Sequence, residues 1–329
     1  MKVAVLGNGG FGTAMAVVLH GAGNEVSIWG HDSVYTAAIA ATRRNPRYLD
    51  GVEIPAAIKV THDAAAALHG AEIALCAVPT QHIRKVMDEL APHVPTGAAV
   101  VSLAKGLEQR TGLRPTEVLA ERFGAARVFV LSGPSHAEEV ANGVPTTVVL
   151  AGIDGARLPA LQTALSTPTF RIYRNADVLG IELCGAVKNV LALAAGIADG
   201  LGYGDNTKAA IVSRGIVEMA RFGAAQGADQ RTFYGLAGVG DLAVTAFSKH
   251  GRNRAFGERI GKGATLQQAL AASPKVAEGV YTSRVVAEKA AQLGIEMPIA
   301  TAVARILFED LSPRDAVRAL MERDPKAED

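Results

Sequence analysis

The 329-residue sequence predicts a doubly wound α/β domain built on a parallel sheet, followed by an all-α domain. In the first half, apolar strand-like runs alternate with helical patterns, which is typical of repeated βαβ units. These runs are apolar at every position, as expected for strands that are buried on both faces of a parallel sheet. From Asp177 onward helical periods dominate and no strand pattern is found. We therefore predict domains of residues 1–178 and 179–329.

Each element has its own local signal. Seven apolar runs predict strands at residues 2–6, 25–29, 73–78, 98–103, 127–131, 146–150 and 170–173. Helical patterns lie between them at 11–21, 33–42, 81–90 and 114–123. In the second half, glycine-rich breaks at 200–204, 235–240 and 261–263 separate the helices. Ser312 followed by Pro313 predicts the start of a last helix, with Ser as N-cap and Pro at the first helical position.

Composition excludes several classes of protein. The chain has 33 Lys and Arg against 32 Asp and Glu, for a net charge of +1, and 49% hydrophobic residues. Disordered chains are less apolar, and proteins that bind a duplex generally carry a basic excess, so neither class is expected. Cys76 and Cys184 are far apart and lie in apolar segments, and the eight histidines are scattered. The pattern predicts no disulfide, no metal site and a reducing, cytoplasmic location.

No integral membrane segment is expected. The apolar run at residues 3–6 is shorter than the core of a signal peptide. The long apolar stretch at 178–198 contains Glu182 and Lys188, and each charge would cost about 3 kcal/mol at the centre of a bilayer. That stretch is therefore predicted to be a buried helix of a soluble protein.

A glycine loop follows the first strand. Gly7, Gly9 and Gly12 match the pattern G-x-G-x-x-G between a buried strand and a helix, the context that a dinucleotide site requires. Gly7 would allow the tight turn, Gly9 the close approach of a pyrophosphate, and Gly12 the packing of helix on strand. The pattern favours a Rossmann-type domain that binds NAD or NADP. A structural turn and the related loop of methyltransferases are the alternatives.

The end of the second strand bears on the choice of cofactor. Asp32 lies twenty residues beyond Gly12, where an acid would bind the ribose 2′-hydroxyl of NAD. His31 would instead tolerate the 2′-phosphate of NADP, and Asp32 would then only cap the next helix. The preference between NAD and NADP stays open on the sequence.

One lysine lies on an apolar helix face. Lys188 falls on the stripe formed by Ile181, Cys184, Lys188, Leu191 and Ala195. A buried lysine needs a carboxylate, other hydrogen-bonding partners or a ligand. It is either a snorkelling side chain at the helix edge or a general acid that protonates a carbonyl oxygen.

Three further segments carry polar groups on predicted loops. Lys105 follows a strand at the carboxyl edge of the sheet, where α/β proteins bind ligands, although a free surface lysine is the alternative. Ser135 and Glu138 have the spacing of a capping box, at a helix start that would also face an anion. The basic run at 249–254 suits one phosphate better than a duplex. Asp241, in a predicted tight loop, is either a turn residue or a partner of Lys188.

Taken in order, these segments resemble the NAD(P)-dependent glycerol-3-phosphate dehydrogenases, most closely the bacterial type. The resemblance runs over residues 2–300 through GNGGFGTAMA, WGHD, CAVPTQHIR, SLAKGLE, LSGPSHAEEV, CGAVKNVLALAAG, GLAGVGDLAVT, GRNRAFG and VAEGVYT. It implies reversible reduction of dihydroxyacetone phosphate to sn-glycerol 3-phosphate with NAD(P)H, a supply of phospholipid precursor and a possible homodimer. A related two-domain dehydrogenase acting on a hydroxy acid or sugar acid is the alternative. A regulatory module that binds the dinucleotide without chemistry would leave Lys188 unexplained.

The resemblance also implies roles for individual residues. Contacts to the dinucleotide are implied for Gly10, Phe11, His31, Lys105, Ala137, Arg252, Val276 and Glu278. Contacts to the substrate are implied for Lys105, Gly133, Ser135, Lys188, Asp241, Gly251, Arg252 and Asn253, with Asn189 and Thr245 at neighbouring positions. Lys188 is implied as the residue that transfers the proton, with Asp241 beside it. Three residues depart from the family pattern: Gly10 for Ser, His136 for an aromatic residue, and Gly251 for Ser or Thr.

Overall fold

The computed structural model describes residues 1–248, 251–272, 277–324 and 327. The strands are β1 (Lys2–Leu6), β2 (Glu25–Trp29), β3 (Arg44–Asn45), β4 (Leu49–Glu53), β5 (Lys59–Thr61), β6 (Ile73–Cys76), β7 (Ala99–Ser102), β8 (Val128–Ser132), β9 (Thr146–Gly152) and β10 (Phe170–Asn175). The helices of the first half are α1 (Gly10–Gly21), α2 (Ser33–Thr42), α3 (Ala64–Leu68), α4 (Ile83–Leu90), α5 (Pro115–Phe123), α6 (Ala137–Ala141) and α7 (Leu158–Leu165). Those of the second half are α8 (Val178–Gly200), α9 (Asp205–Ala224), α10 (Gln230–Phe233), α11 (Asp241–Phe247), α12 (Arg252–Gly261), α13 (Leu266–Ala271), α14 (Glu278–Gln292), α15 (Pro298–Phe308) and α16 (Pro313–Met321).

Eight strands form one sheet in the order β10-β9-β8-β7-β6-β1-β2-β5. The predicted fold class is confirmed, and all seven predicted strands are present within two residues of their expected ends. The sheet is not wholly parallel, however, because β9 runs antiparallel to β8. Between these strands the chain forms only the five-residue helix α6, about 7.5 Å long at 1.5 Å per residue. That helix is too short to return the chain to the opposite end of the sheet.

Three short strands have no counterpart in the sequence analysis. The hairpin β3–β4 and the edge strand β5 are short and only partly buried, so they lack a continuous apolar run. The hairpin is nevertheless fixed in place. The Asn45 side chain donates hydrogen bonds to the Asn8 carbonyl and to Thr13 Oγ1, both 2.8 Å long. These bonds attach the hairpin to the glycine loop and the first turn of α1.

Helix α8 forms the centre of the second half. Every residue from Gly180 to Ala198 is buried, so the helix is surrounded rather than amphipathic. Among the described residues it is the single helix that is long and apolar enough to cross a membrane. Its most apolar window is 89% buried inside the protein, as in the core helix of a globular domain.

Glycines bring α8 and α12 into backbone contact. A Cβ atom added at Gly196 would lie 2.0 Å from the Arg254 carbonyl oxygen, and one at Gly257 would lie 2.2 Å from the Leu193 carbonyl oxygen. Gly200 and Gly261 make similar approaches. The close contact places the first turn of α12 beside the middle of α8.

Gly257→Ala should lower the free energy of unfolding by about 1–3 kcal/mol, because a methyl group at this contact forces the two helices apart. Gly21→Ala is the matched control, since Gly21 ends α1 and a Cβ there meets no atom within 4 Å. Denaturant unfolding measures both. Equal stability of the two variants would contradict a tight contact between α8 and α12.

Candidate active site

Lys188 is buried on α8, and two side chains hold its ammonium group. Its ammonium group donates to Asp241 Oδ1 at 2.9 Å and to Thr245 Oγ1 at 2.7 Å. Only 6% of the residue is exposed. The snorkelling interpretation of Lys188 is therefore wrong.

Asp241 joins Lys188 to Lys105 of the sheet half. Lys105 Nζ donates to Asp241 Oδ2 at 2.6 Å and to the Gly133 carbonyl at 2.9 Å. The glycines around Asp241 predicted a tight loop, and that prediction is wrong. Residues Leu236–Gly240 form a π-helical turn that leads directly into α11, and Asp241 is the first residue of that helix.

Burial and charge set the protonation of this cluster. Burial lowers the pKa of Lys188 to about 8, because the attraction of Asp241 only partly offsets desolvation and the Lys105 charge adds repulsion. Burial alone would raise the pKa of Asp241, but the two ammonium groups outweigh it and hold that pKa below its usual value. Asp241 is therefore ionised at neutral pH, while Lys188 loses its proton about one pH unit above neutrality.

Two amide side chains extend the cluster. Asn253 Nδ2 donates to Asn189 Oδ1 at 2.9 Å, and Asn189 Nδ2 donates to the Lys105 carbonyl at 3.3 Å. The Gly279 amide at the start of α14 donates to Asn253 Oδ1 at 3.0 Å. This relay orients both asparagines and attaches them to the main chain at Lys105.

Arg252 and Asn253 lie in the first turn of α12, not in a loop. The Arg252 side chain is exposed, and its charge contributes to lowering the pKa of Lys188. Gly251 precedes the helix as its N-cap. A Cβ there would lie 2.8 Å from the Thr245 carbonyl, so this departure from the family pattern matches a site without room for a side chain. Lys249 of the basic run lies outside the described residues, as does residue 250.

The segment after β8 departs from its predicted capping. Helix α6 begins at Ala137, with His136 rather than Ser135 at the N-cap. The predicted capping box is wrong, because Ser135 Oγ donates to the Gly133 carbonyl at 2.9 Å instead. Gly133 thus accepts from both Ser135 and Lys105. Burial, followed by the Lys188 charge, lowers the pKa of His136, so its imidazole is neutral beside the cluster.

The glycine loop has the geometry expected of a dinucleotide site. Gly7 adopts φ +121°, and a Cβ at Gly12 would lie 2.1 Å from the Gly7 carbonyl, so the turn and the helix packing both require glycine. Above Gly9 there is open space for a ligand at the N-terminus of α1. At Gly10 a Cβ would lie 2.7 Å from the Tyr48 carbonyl of the hairpin, which matches the absence of the family's serine. Phe11 lies in the first turn of the helix.

The remaining cofactor candidates lie along the same edge of the sheet. His31 is exposed after β2, and Asp32 Oδ1 accepts from the Tyr35 amide at 3.0 Å, so Asp32 is the N-cap of α2. Glu278 Oε1 accepts from the Thr80 amide at 3.1 Å, across the two halves. Ala137 opens α6 within 4 Å of a Cβ built at Gly10. Val276 lies outside the described residues.

Sequence reasoning missed Thr80, which binds Glu278 through both its amide and its hydroxyl. Its position directly after Val78 and Pro79, in the segment that follows β6, was the available signal. Within the described residues no group of His, Cys, Asp and Glu is arranged to hold a metal ion.

The layout combines a dinucleotide-type loop on the sheet with a buried, titrating lysine on the helical half, next to basic groups suited to an anion. It defines the class of two-domain dehydrogenases that depend on a nicotinamide dinucleotide. The chain belongs to the NAD-dependent glycerol-3-phosphate dehydrogenase family. The family's N-terminal model matches residues 2–157 and its C-terminal model matches residues 177–318.

Similar proteins cover the whole chain. A glycerol-3-phosphate dehydrogenase (NAD(P)+) of Salinibacter ruber is 47% identical over 99% of this chain and 96% of its own length. One of Streptomyces griseus is 45% identical over 100% of this chain and 98% of its own. The crystal structure of glycerol-3-phosphate dehydrogenase from Coxiella burnetii superposes with a TM-score of 0.94 at 39% identity, covering 98% of this chain and 99% of that one.

Asp241→Asn should lower the free energy of unfolding by about 3–5 kcal/mol at pH 7, because the buried ammonium group of Lys188 and the partly exposed one of Lys105 lose their counter-charge. The loss should be smaller above pH 8 than at pH 7, because Lys188 has by then given up its proton in the wild type as well. Glu258→Gln, at a more exposed ion pair on α12, is the control and should cost about 0–1 kcal/mol. Urea unfolding at pH 7 and above pH 8 measures the loss for each variant. Equal losses for the two variants would refute a buried charge cluster.

Proposed function

We propose that this protein reversibly reduces dihydroxyacetone phosphate to sn-glycerol 3-phosphate with NADH or NADPH. The observation that carries the proposal is the Lys188–Asp241–Lys105 cluster, in which Lys188 and Asp241 are buried. Asn189 and Asn253 join this cluster to the start of α12, where Arg252 is exposed. The full-length likeness to glycerol-3-phosphate dehydrogenases supports it. The proposal includes a cofactor domain of residues 1–178 and a substrate domain of residues 179–329.

The glycine loop supports the cofactor role. The backbone amides at Gly9, Gly10 and Phe11 begin α1, where a helix N-terminus binds a pyrophosphate. The nicotinamide dinucleotide supplies the hydride when bound. His31, Lys105, Ala137, Arg252, Val276 and Glu278 complete the proposed set of contacts. Because Asp32 caps α2 and His31 is exposed, both NAD and NADP belong to the proposal.

The substrate phosphate is assigned to the start of α12. Arg252 can bind a phosphate through its forked guanidinium group. The amides that follow Gly251 form the N-terminus of α12, a helix of ten residues, and helix N-termini bind anions. Lys105, held by the Gly133 carbonyl, faces the same site from the sheet together with Ser135.

Proton transfer is assigned to Lys188. In the reductive direction its ammonium group donates a proton to the carbonyl oxygen, and in the oxidative direction the neutral amine accepts the hydroxyl proton. Asp241 and Thr245 fix the direction of the ammonium group. Burial matters here because it lowers the pKa of Lys188 to about 8, near the working pH of a proton donor.

We further propose a cytoplasmic, soluble enzyme that supplies glycerophospholipid synthesis and forms a homodimer, without nucleic-acid partners. The near-zero net charge and the buried state of α8 support the soluble assignment and the lack of a nucleic-acid partner. The homodimer is carried over from the family resemblance.

The activity is tested by loss of reduced-nicotinamide absorbance with dihydroxyacetone phosphate, run with NADH and with NADPH. Pyruvate and ketopantoate serve as carboxylate substrates. Turnover with the phosphate ester alone supports the proposal. Turnover with a carboxylate and none with the phosphate ester would favour the hydroxy-acid alternative, whose fold is shared by a D-mandelate dehydrogenase at 13% identity and a TM-score of 0.64.

Lys188→Ala should lower kcat by roughly 10²–10⁴-fold, because the carbonyl oxygen loses its proton donor. The dissociation constant of the cofactor should change little, since the glycine loop is untouched. Lys262→Ala, at the exposed lysine that forms the C-cap of α12, is the control and should keep full activity. Near-normal turnover of Lys188→Ala in the same assay would remove Lys188 from the mechanism.

The two directions should respond to pH with opposite sign. Reduction needs protonated Lys188, so its kcat should fall as pH rises through about 8. Oxidation needs the neutral amine, so its kcat should rise over the same interval. Steady-state rates at saturating substrate from pH 6 to 10 test this. Parallel changes in both directions would show that another group controls the rate.

A further inference from the structure

Glu182 is a buried carboxylate of the helical half that hydrogen-bonds to the sheet half. It lies in the second turn of α8, is 3% exposed, and is bonded to the start of α5. Its Oε1 accepts from the Thr116 amide at 2.8 Å, and its Oε2 accepts from Arg114 Nη1 at 2.7 Å and from the Thr116 hydroxyl. None of the roles assigned above uses this residue.

Helix α5 depends on this contact because only part of its N-terminus is capped from within the helix. Its N-cap position is Arg114, whose side chain has no acceptor for the free amides of the first turn. Glu117 Oε2 accepts from the Arg114 amide at 2.8 Å. The Thr116 amide instead donates to Glu182, which belongs to the other half of the protein. The Thr116 hydroxyl and Arg114, whose side chain is 17% exposed, add two further bonds across the two halves.

The same turn of α8 lies directly against the active site. Three residues beyond Glu182, a Cβ at Gly185 would lie 3.3 Å from both Lys105 Cγ and Ser132 Oγ, so the helix touches the stem of Lys105. Three residues further on is Lys188, about 9 Å along the axis from Glu182 at 1.5 Å per residue. Sliding of α8 at Glu182 would therefore displace Lys188 relative to Lys105.

We propose that Glu182 is a positioning residue for the reaction. Its bonds to Thr116 and Arg114 set the register of α8 against the sheet, and thereby bring Lys105 of one half onto Asp241 of the other. Glu182 does not contact substrate or cofactor in this role. The effect on turnover rests on the proposed function, whereas the effect on register does not.

The chain contains a matched control. Glu218 on α9 is also 3% exposed, and its two oxygens accept from the Ile299 and Ala300 amides at the start of α15. As with Glu182, burial raises the pKa of this carboxyl, here to about 7. It caps a helix that lacks its own cap, but within the helical half alone. Loss of either carboxylate should affect stability, and only loss of Glu182 should affect register.

The experiment compares Glu182→Gln with Glu218→Gln. Both should lower Tm, because each leaves a helix start with a weaker acceptor. Only Glu182→Gln should lower kcat, on the order of 10–100-fold, as expected when reacting groups shift by about 1 Å. Its cofactor dissociation constant should stay within twofold of the wild type. A kcat within twofold of the wild type, or an equal fall in Glu218→Gln, would overturn the proposal.

A milder pair covers the case in which Glu182→Gln does not fold. Thr116→Val removes one bond to Glu182 and should lower kcat at unchanged cofactor binding. Thr116→Ser keeps the hydroxyl and should have the kcat of the wild type. Equal activity of these two variants would overturn the proposal.

The register itself is measured independently of turnover. In a crystal structure of Glu182→Gln, or of Thr116→Val if that variant replaces it, the separation of Lys105 Nζ and Asp241 Oδ2 should exceed the 2.6 Å found here. An unchanged separation would overturn the positioning role. An inactive wild type would instead refute the proposed function and leave this measurement valid.

Discussion

A single buried carboxylate, that of Asp241, has to balance two ammonium groups from opposite halves of the chain, one buried and one partly exposed. Lys188 reaches it from α8 and Lys105 from the end of β7. Taking charges out of water is costly, and the attraction between them compensates only at close range and with further hydrogen bonds. Thr245 and the Gly133 carbonyl supply those further bonds. The architecture around the cluster can be understood as the set of contacts that hold these three groups within hydrogen-bonding distance.

Helix packing meets this requirement on the helical side. Backbone contact between α8 and α12 brings Asn253 to Asn189, one residue from Lys188, and presents Arg252 at the exposed edge. Side chains at Gly196 or Gly257 would separate the helices and so remove the anion-facing turn from the lysine. The glycine content of the chain thus acts at two places, the dinucleotide turn and this helix pair. In the helix pair it acts by the absence of a side chain rather than by backbone freedom.

On the sheet side, the antiparallel β9 and the short α6 shape the rim of the site. The segment from Gly133 to His136 directly follows the carboxyl end of β8 and lies beside Lys105, which donates to the Gly133 carbonyl. His136 is held neutral there by burial and by the neighbouring lysine charge. A neutral imidazole adds no charge, so His136 leaves the charge balance of the cluster intact.

The sequence alone determined the βαβ order, the glycine loop, the long buried α8 and the anomaly of Lys188 on its apolar stripe. All of these are local, since strand and helix periods and the G-x-G-x-x-G turn are expressed over a few neighbouring residues. Tertiary structure decided that Lys188 is buried rather than snorkelling, that Asp241 bridges two lysines and that Ser135 does not cap α6. It also decided that Glu182 caps a helix 66 residues away in the chain. The physical reason is that desolvation, ion pairing and capping across elements depend on which groups meet in space. Local sequence periodicity does not specify contacts between residues that are distant in the chain.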